Sequence, residues 1–238
     1  LEKDINSDKN NDPLEKFKQV CIKNNILSKN DFLKLEKDIS DEIDEDALWA
    51  EKQNDPEDST LNLFVKEKKF DSDIVPKEND IVLVDAINHA MDEELEFNDK
   101  MLVFGQDVAG GKGGVFTATK GLTDKYGEDR VFNSPLAESS IIGTAIGLAT
   151  LGYKPVVEIQ FGDYIWTSMM QIRNELATMN YRSNGDWQCP VVVRVPVGGY
   201  IHGSLCHSQS IDGYFTHLPG IMIAYPSNAA DAKGLLKA

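Results

Sequence analysis

Residues 130–147, RVFNSPLAESSIIGTAIG, are typical of a strand end, a tight turn and the start of a helix. Ser134 and Pro135 favour a helix cap followed by a first helical residue, because proline at that position loses no required hydrogen-bond donor. Apolar residues beyond them recur at helical spacing and predict a helix with one inward-facing stripe. These residues are Ile142, Ala145 and Ala149.

Glu138 lies four residues before Ile142 and therefore falls on the same apolar stripe. The simplest interpretation is an acid favoured by the helix dipole near an N-terminus. It is not the glutamate of a capping box, because the residue three positions after Ser134 is Ala137. The alternative is a partly buried carboxylate that exchanges or shares a proton with a ligand. The local sequence favours the first interpretation, and the later segments favour the second.

Length and composition set broad limits. A chain of 238 residues has room for one large or two small domains. No stretch approaches the roughly 18 apolar residues of a membrane span. No secretory signal is visible, so we expect a cytoplasmic (bacterial) protein, with an organelle matrix left open because the sequence begins at Leu1 rather than Met. Three widely spaced cysteines without a CxxC pair argue against a disulfide scaffold or zinc site and for a reducing compartment.

The net charge of −15 is distributed unevenly. Residues 1–99 contain 28 acidic and 13 basic side chains, whereas residues 100–238 contain 11 of each. An acidic chain without basic patches is a poor candidate for binding nucleic acid. The asymmetry indicates two segments with different roles.

Residues 1–53 predict two amphipathic helices that precede the main domain. Asp12-Pro13 opens the first helix, and Ser28 caps the second with Asp31 in the position of a capping-box acid. Both helices are apolar on one side and acidic on the other, so they need a body to pack on. Residues 54–79 combine chain breakers with a charge run and predict a linker.

Residues 80–238 predict an α/β domain with a parallel sheet and helices on both of its faces. Short apolar strands are expected at residues 101–104, 156–159, 191–195 and 221–224. Helices are expected after residue 80, at residues 164–181 and 211–217, and from Asn228 to the end. No closing strand follows, so we expect the fold to be truncated at its C-terminus.

A glycine-rich loop, GQDVAGGKGG, occupies residues 105–114 after the first strand. It does not match a phosphate-binding loop, because Lys112 is followed by Gly113 rather than by Ser or Thr. It also lacks the glycine spacing of a dinucleotide-binding turn. A surface loop is therefore favoured over a nucleotide cradle, although sites in open parallel sheets gather at such strand ends.

The residues from Gln160 to Tyr164 lie at another strand-to-helix crossing. One interpretation is structural, with Asp163 as a helix cap and the aromatic rings in the core. The other is functional, with an aromatic ring packed on a flat ligand and Gln160 as a polar anchor.

Residues 198–210, GGYIHGSLCHSQS, form a glycine-rich loop after the third predicted strand. The loop contains His202 and His207, and a structural role and a role in an active-site loop are about equally favoured. The chain has no HExxH spacing and no GxSxG elbow, which argues against a zinc site and against a Ser-His hydrolase.

Residues 80–238 contain, in this order, the runs RVFNSPLAE, EIQFGDYI, YRSNGDWQCP, HGSLCHSQS, HLPGI and YPSNAADAKGLL. Together these runs resemble the beta-type pyrimidine-binding half of thiamine-diphosphate-dependent 2-oxo acid dehydrogenases, whose pyrimidine domain is transketolase-like. YRSNGDWQCP and SLCHSQS look more like the branched-chain type, which serves branched-chain amino acid catabolism, than the pyruvate type. The N-terminal run DPLEKFKQVCIKNNILSKNDFLKLEKDI resembles the C-terminal tail of the alpha-type subunit. The chain therefore looks like an internal piece of a fused alpha–beta enzyme.

The resemblance implies roles for five residues. Glu138 matches the family's glutamate that hydrogen-bonds the aminopyrimidine ring of thiamine diphosphate, and Tyr164 matches the aromatic residue that packs against this ring. Leu136 and Gln160 match neighbouring contacts. His207 matches the loop histidine near the reacting centre, a proton donor or a residue that orients acyl transfer.

The resemblance also implies partners and leaves alternatives. The diphosphate and its magnesium ion belong to an alpha-type phosphate-binding domain, and the acyl group passes to a lipoyl domain of a dihydrolipoyl acyltransferase within a multienzyme complex. The resemblance implies a homo-oligomer that binds neither nucleic acid nor a membrane. It also implies that the fragment alone is inactive. Some beta subunits hold potassium near the segment matching residues 190–193, which the sequence leaves open. Alternatives are a pyruvate or acetoin dehydrogenase, a transketolase-like synthase and a non-catalytic assembly module that docks partners through its acidic helices.

One departure from the family's pattern lies beside the loop histidine. Cys206 stands where the family usually has an aromatic residue.

Overall fold

The computed structural model describes residues 11–55, Phe64 and residues 81–238. The chain divides into two compact units, Leu1–Glu57 and Asp58–Ala238. Most of the linker predicted for residues 54–79 lies outside the described residues. Among the residues that are described, no helix is both long and apolar enough to cross a membrane.

The first unit contains helix α1 (Pro13–Lys23) and helix α2 (Lys29–Glu51). The backbone N–H of Leu14 donates to the Asp12 side chain at 2.8 Å, which confirms the predicted cap. The predicted capping box at Ser28 is also confirmed, since its hydroxyl and the Asp31 carboxylate each accept from the other residue's backbone N–H. Cys21 is the buried apolar residue of these helices, whose remaining apolar side chains are largely exposed.

The second unit alternates strands and helices in chain order. It begins with α3 (Leu83–Phe97), β1 (Met101–Gly105), α4 (Leu122–Tyr126), β2 (Val131–Asn133), α5 (Glu138–Thr150) and β3 (Lys154–Glu158). It continues with a 3₁₀ helix (Gly162–Ser168), a π-helix (Gln171–Leu176), α6 (Met179–Arg182) and β4 (Val192–Arg194). A 3₁₀ turn (Ser204–Cys206), α7 (Asp212–Phe215) and α8 (Ala229–Lys237) complete it.

The four strands form one parallel sheet in the order β2-β1-β3-β4. Adjacent residues of β1 point to opposite faces, so Phe104 joins a core with Ile142 and Val157, whereas Val103 joins a core with Met91. Helix α5 covers the first face and helix α3 the second. The α/β prediction, a parallel sheet with helices on both faces, is therefore confirmed.

Helix α5 begins later than the sequence pattern predicts. Ser134 does not cap it, because its backbone N–H donates to the Gly105 carbonyl at 2.7 Å and its hydroxyl donates to the Pro135 carbonyl at 3.1 Å. Ala137 occupies the cap position without a side-chain hydrogen bond, so Glu138 is the first helical residue. The predicted stripe of Ile142, Ala145 and Ala149 is buried, as expected.

Two further predictions are wrong. Residues 164–181 form three short pieces instead of one helix, because a hydrogen bond from Ala177 N–H to the Ile172 carbonyl at 2.8 Å spans five residues and shifts the register. Residues 221–224 form no strand, and the sheet in the described part of the chain ends at β4.

Candidate functional site

The candidate site lies where the loops that follow the strands meet. Because all four strands are parallel, their carboxyl ends lie at one edge of the sheet. Gln106 follows β1, Ser134 follows β2 and Gln160 follows β3. Residues 198–210 follow β4. The sequence-predicted site residues are all in these loops or in the helices that begin directly after them.

Glu138 is half-buried at the first turn of α5. The Gln106 side chain donates from Nε2 to Glu138 Oε1 at 3.1 Å. The Thr167 hydroxyl donates to Glu138 Oε2 at 3.1 Å. Each carboxylate oxygen can accept a second hydrogen bond. The carboxylate is therefore held by two segments and keeps the capacity to bind a further donor.

Gln106 was not singled out by the sequence pattern, which favoured a surface loop for residues 105–114. Its side chain is only 4% exposed, and its Oε1 is buried without a hydrogen-bond partner among the described residues. An unpaired buried amide oxygen is costly, so it marks a position with a special role. The sequence signal was its place as the first polar residue after a wholly buried strand that ends at the functional edge.

Tyr164 and His207 are joined by a hydrogen bond of 2.5 Å between the phenol oxygen and His207 Nε2. His207 Nδ1 lies 3.1 Å from the Gly203 carbonyl oxygen. Because a carbonyl only accepts, Nδ1 carries a proton, and in the neutral ring Nε2 accepts from the tyrosine hydroxyl. Phe161 packs edge-on against both rings, with centroid distances of 5.5 Å to Tyr164 and 4.6 Å to His207.

Asp163 helps to hold the histidine loop in place. It does not cap a helix as the structural interpretation expected, because its carboxylate accepts instead from the backbone N–H of Gln209 at 3.3 Å. Gln209 in turn accepts from the N–H of Gly198 at 3.2 Å, which closes the loop on itself. His202 is exposed, and no ring contact or side-chain hydrogen bond joins it to the Tyr164–His207 pair.

A cleft of about 320 Å³ lies beside Gln106. It is lined by Gln106, Asp107, Asn133, Ser134, Leu136 and Gln160. Gln160 donates from Nε2 to Asp107 Oδ2 at 3.2 Å, and Leu136 is 84% exposed. The structure thus places Leu136 and Gln160 in one cleft, which Gln106 connects to Glu138.

A buried ion pair lies beneath the glycine-rich loop. Arg194 on β4 donates to the carboxylate of Glu158, which occupies the paired position at the end of β3 and is 2% exposed. Burial raises the pKa of Glu158 from its ordinary value of 4.5, while the charge and hydrogen bond of Arg194 act in the opposite direction. A Cβ at Gly114 would lie 3.0 Å from Glu158 Oε1, and its φ of +83° suits glycine, so the loop passes closely over this carboxylate. The sequence pattern assigned both charged residues to strands and missed the pair.

The histidines, cysteines and carboxylates of the described residues include no group of three or more positioned to hold a metal ion. All three cysteines are free. Burial raises the pKa of the Cys189 thiol to about 11, which disfavours the nucleophilic thiolate at neutral pH.

Comparison with known proteins places these features in a family. Residues 79–238 match the family described as "Transketolase, pyrimidine binding domain". The 2-oxoisovalerate dehydrogenase subunit beta of Bacillus subtilis is 54% identical over 155 residues, which cover 65% of this chain and 47% of that protein. The corresponding subunit of Pseudomonas aeruginosa is 49% identical, with 66% and 44% covered. The pyruvate dehydrogenase E1 component subunit beta of Bacillus subtilis is 46% identical, with 66% and 48% covered. The chain thus spans about half the length of the curated relatives it matches.

A solved structure supports the fold. The chain described as "Split gene transketolase, inactive beta4 tetramer" superposes with a TM-score of 0.50 at 23% sequence identity, covering 66% of this chain and 46% of that one. At this identity the likeness concerns the fold alone.

Proposed function

The chain belongs to the transketolase pyrimidine-binding domain family, and on that premise we propose that it is the pyrimidine-binding half of a thiamine-diphosphate-dependent branched-chain 2-oxo acid dehydrogenase. The observation that carries the proposal is Glu138, a half-buried carboxylate that keeps lone pairs for a ligand at the functional edge of the sheet. Relatives named for 2-oxoisovalerate are 54% and 49% identical, against 46% for the pyruvate-named relative from Bacillus subtilis, which supports the branched-chain substrate.

The residues present suit the pyrimidine end of thiamine diphosphate. The Glu138 carboxylate is an acceptor for a protonated ring nitrogen, and the exposed Leu136 offers apolar surface for a flat ring. Tyr164 supplies an aromatic face, and Gln160 lines the same cleft as Leu136. We assign the diphosphate and its magnesium ion to an alpha-type phosphate-binding partner domain, an assignment supported by the "subunit beta" names of the relatives.

Bound thiamine diphosphate would supply the electron sink for loss of carbon dioxide from the 2-oxo acid. Glu138 would accept a hydrogen bond from the pyrimidine ring and so hold a proton at the ring nitrogen. The lone pair of His207 Nε2 accepts from the Tyr164 hydroxyl in the neutral ring, so His207 would exchange a proton with the substituent on the reacting carbon through this hydroxyl. Phe161 and Tyr164 flank the imidazole and would limit the access of water to it.

The wider assembly completes the proposal. The acyl group would pass to a lipoyl domain of a dihydrolipoyl acyltransferase, and α1 and α2 would be the C-terminal tail of an alpha-type domain fused to this one. We propose a homo-oligomeric enzyme in which alpha-type and beta-type domains meet. A pyruvate dehydrogenase is the second candidate, because relatives with that name are 46% and 45% identical over 156 and 158 residues.

Substrate turnover by the full-length enzyme tests the proposed substrate. With thiamine diphosphate, magnesium and a lipoyl domain present, we expect kcat/KM for 2-oxoisovalerate to exceed that for pyruvate by at least about tenfold, because a pocket shaped for branched chains gains apolar contacts. Release of carbon dioxide and acylation of the lipoyl domain are the measurements. Equal or faster turnover of pyruvate would show that the branched-chain assignment is wrong.

His207→Ala in the same enzyme should reduce acylation of the lipoyl domain by roughly 100-fold, with a smaller loss in decarboxylation, because proton transfer at the acyl group needs a positioned base. Single-turnover measurements of both steps separate the effects. His202→Asn is the matched control, since His202 is exposed in the same loop and asparagine tolerates its φ of +54°. Equal losses in the two steps would contradict the role of His207.

A further inference from the structure

We propose that Thr167 and Gln106 are positioning residues that fix the plane of the Glu138 carboxylate, so that its free lone pairs face the pyrimidine ring. This inference rests on the proposed function, in which Glu138 binds that ring. It concerns two residues that the sequence pattern did not single out. Each donates to a different oxygen of Glu138, and each does so at 3.1 Å.

Two donors constrain a carboxylate more than one does. The terminal torsion of a glutamate side chain is broad, so a carboxylate with one hydrogen bond can still rotate about it. With Gln106 on Oε1 and Thr167 on Oε2, rotation would break one of the two bonds. The donors belong to segments after β1 and β3, so the carboxylate of α5 is fixed relative to both strands.

Thr167 also connects the carboxylate to the aromatic ring. Thr167 and Tyr164 lie three residues apart in the 3₁₀ helix, and side chains with this spacing are aligned because a 3₁₀ helix has three residues per turn. The Ser139 hydroxyl donates to the Thr167 carbonyl, while the Thr167 hydroxyl donates to Glu138. Two hydrogen bonds therefore join the first turn of α5 to the helix that carries Tyr164. In the proposed site, the Glu138 carboxylate binds the edge of the pyrimidine ring and Tyr164 packs on its face. These two hydrogen bonds hold both side chains in a fixed relative position.

Gln106 fixes the other oxygen from a buried position. The Gln106 amide must direct Nε2 towards Glu138, because the flipped amide would place its acceptor oxygen against the carboxylate oxygen, which also only accepts. In this orientation Oε1 is buried without a partner in the described part of the chain. A buried amide with one unpaired oxygen is a net cost to folding, which is explained if the amide donor serves Glu138.

The test is a calorimetric titration of the full-length enzyme with thiamine diphosphate in the presence of magnesium. Thr167→Val removes the donor and keeps the shape, and Thr167 is exposed, so folding should be unaffected. We expect Thr167→Val to bind thiamine diphosphate about tenfold more weakly, because the variant loses a hydrogen bond to the charged Glu138 carboxylate. Thr167→Ser keeps the hydroxyl and should bind within about twofold of the wild type. Gln106→Met has a side chain of similar length without a hydrogen-bond donor, and this variant should also bind thiamine diphosphate more weakly than the wild type.

A double-mutant cycle shows whether Thr167 acts through Glu138. In the Glu138→Ala background, Thr167→Val should change affinity by less than about twofold, because the carboxylate that Thr167 orients is gone. A tenfold loss that persists in this background, or no loss in Thr167→Val, would overturn the proposal while leaving the proposed function intact. If Glu138→Gln alone binds the cofactor and turns over substrate like the wild type, the proposed function fails as well.

Discussion

Glu138→Gln in the full-length enzyme should lower the rate of decarboxylation by at least about 100-fold, which is the usual scale for removing an acid–base group. In the proposed function, the carboxylate would accept a hydrogen bond from a protonated ring nitrogen and stabilise that proton by its charge. An amide of the same size can still accept from the ring, but it carries no charge to stabilise a proton there. The loss should therefore appear in kcat for carbon dioxide release, with a smaller change in the KM for the 2-oxo acid.

The fold should survive this substitution. The amide carbonyl can still accept from Gln106 Nε2, and the Thr167 hydroxyl can accept from the new amide group instead of donating. Circular dichroism and the thermal midpoint should match the wild type. Glu175→Gln is a suitable control, because Glu175 is exposed and pairs with Arg182 away from the site. Near-normal turnover in Glu138→Gln would remove the basis for assigning thiamine diphosphate to this site.

Parts of this arrangement follow from short-range sequence patterns. The apolar spacing after Glu138 predicted the buried face of α5 and placed the acid at its start. The capping box of α2 could also be predicted from the sequence, because Ser28 and Asp31 meet within a single turn. Short apolar runs between helices were sufficient to predict a parallel sheet. In each case the residues that interact are close in sequence or share one period.

The contacts that define the site are not of this kind. Gln106 is 32 residues before Glu138, and Thr167 is 29 residues after it. Periodicity reports which face of an element is buried, but it does not report which loop meets which across the edge of a sheet. The buried Glu158–Arg194 pair was missed for the same reason, since the two residues belong to separate strands and are 36 residues apart.

Local signals were also overridden by tertiary contacts. Ser134 has the chemistry of a cap, yet its N–H extends the pairing with Gly105 of β1 and the helix starts four residues later. Residues 164–181 have a helical pattern, yet they form part of a 3₁₀ helix, then a π-helix and the start of the short helix α6. That departure has a structural use, because the 3₁₀ geometry aligns Tyr164 with Thr167.

The Glu158–Arg194 pair has an expected effect on stability rather than on chemistry. Glu158 is 2% exposed, and the backbone of Gly114 lies close to its carboxylate. Arg194 is the ion-pair partner of this carboxylate. Removing one member of a buried pair leaves an uncompensated charge, which typically costs about 3–5 kcal/mol. Arg194→Met keeps most of the apolar stem and removes the charge. We therefore expect this variant to lower the free energy of unfolding by about 3–5 kcal/mol near neutral pH.

The pH dependence identifies the cause of this loss. Burial already raises the pKa of Glu158, and without Arg194 nothing in the pair opposes that effect, so the pKa should rise further. A carboxyl whose folded pKa is raised binds more protons in the folded state, and its favourable contribution is lost as pH rises from its ordinary value of 4.5 through the folded pKa. The deficit of Arg194→Met relative to the wild type should therefore be largest near neutral pH and shrink in acidic buffer.

Urea unfolding followed by circular dichroism, at neutral pH and in acidic buffer, measures this loss in the free energy of unfolding. Arg182→Met makes the same change at an exposed pair with Glu175 and should cost no more than about 1 kcal/mol. The double variant Glu158→Gln/Arg194→Met removes both charges and should recover part of the stability lost by Arg194→Met, because no buried charge is left without a partner. A deficit that is independent of pH, or a double variant no more stable than Arg194→Met, would mean that lost packing of the arginine stem, rather than a stranded carboxylate, causes the effect.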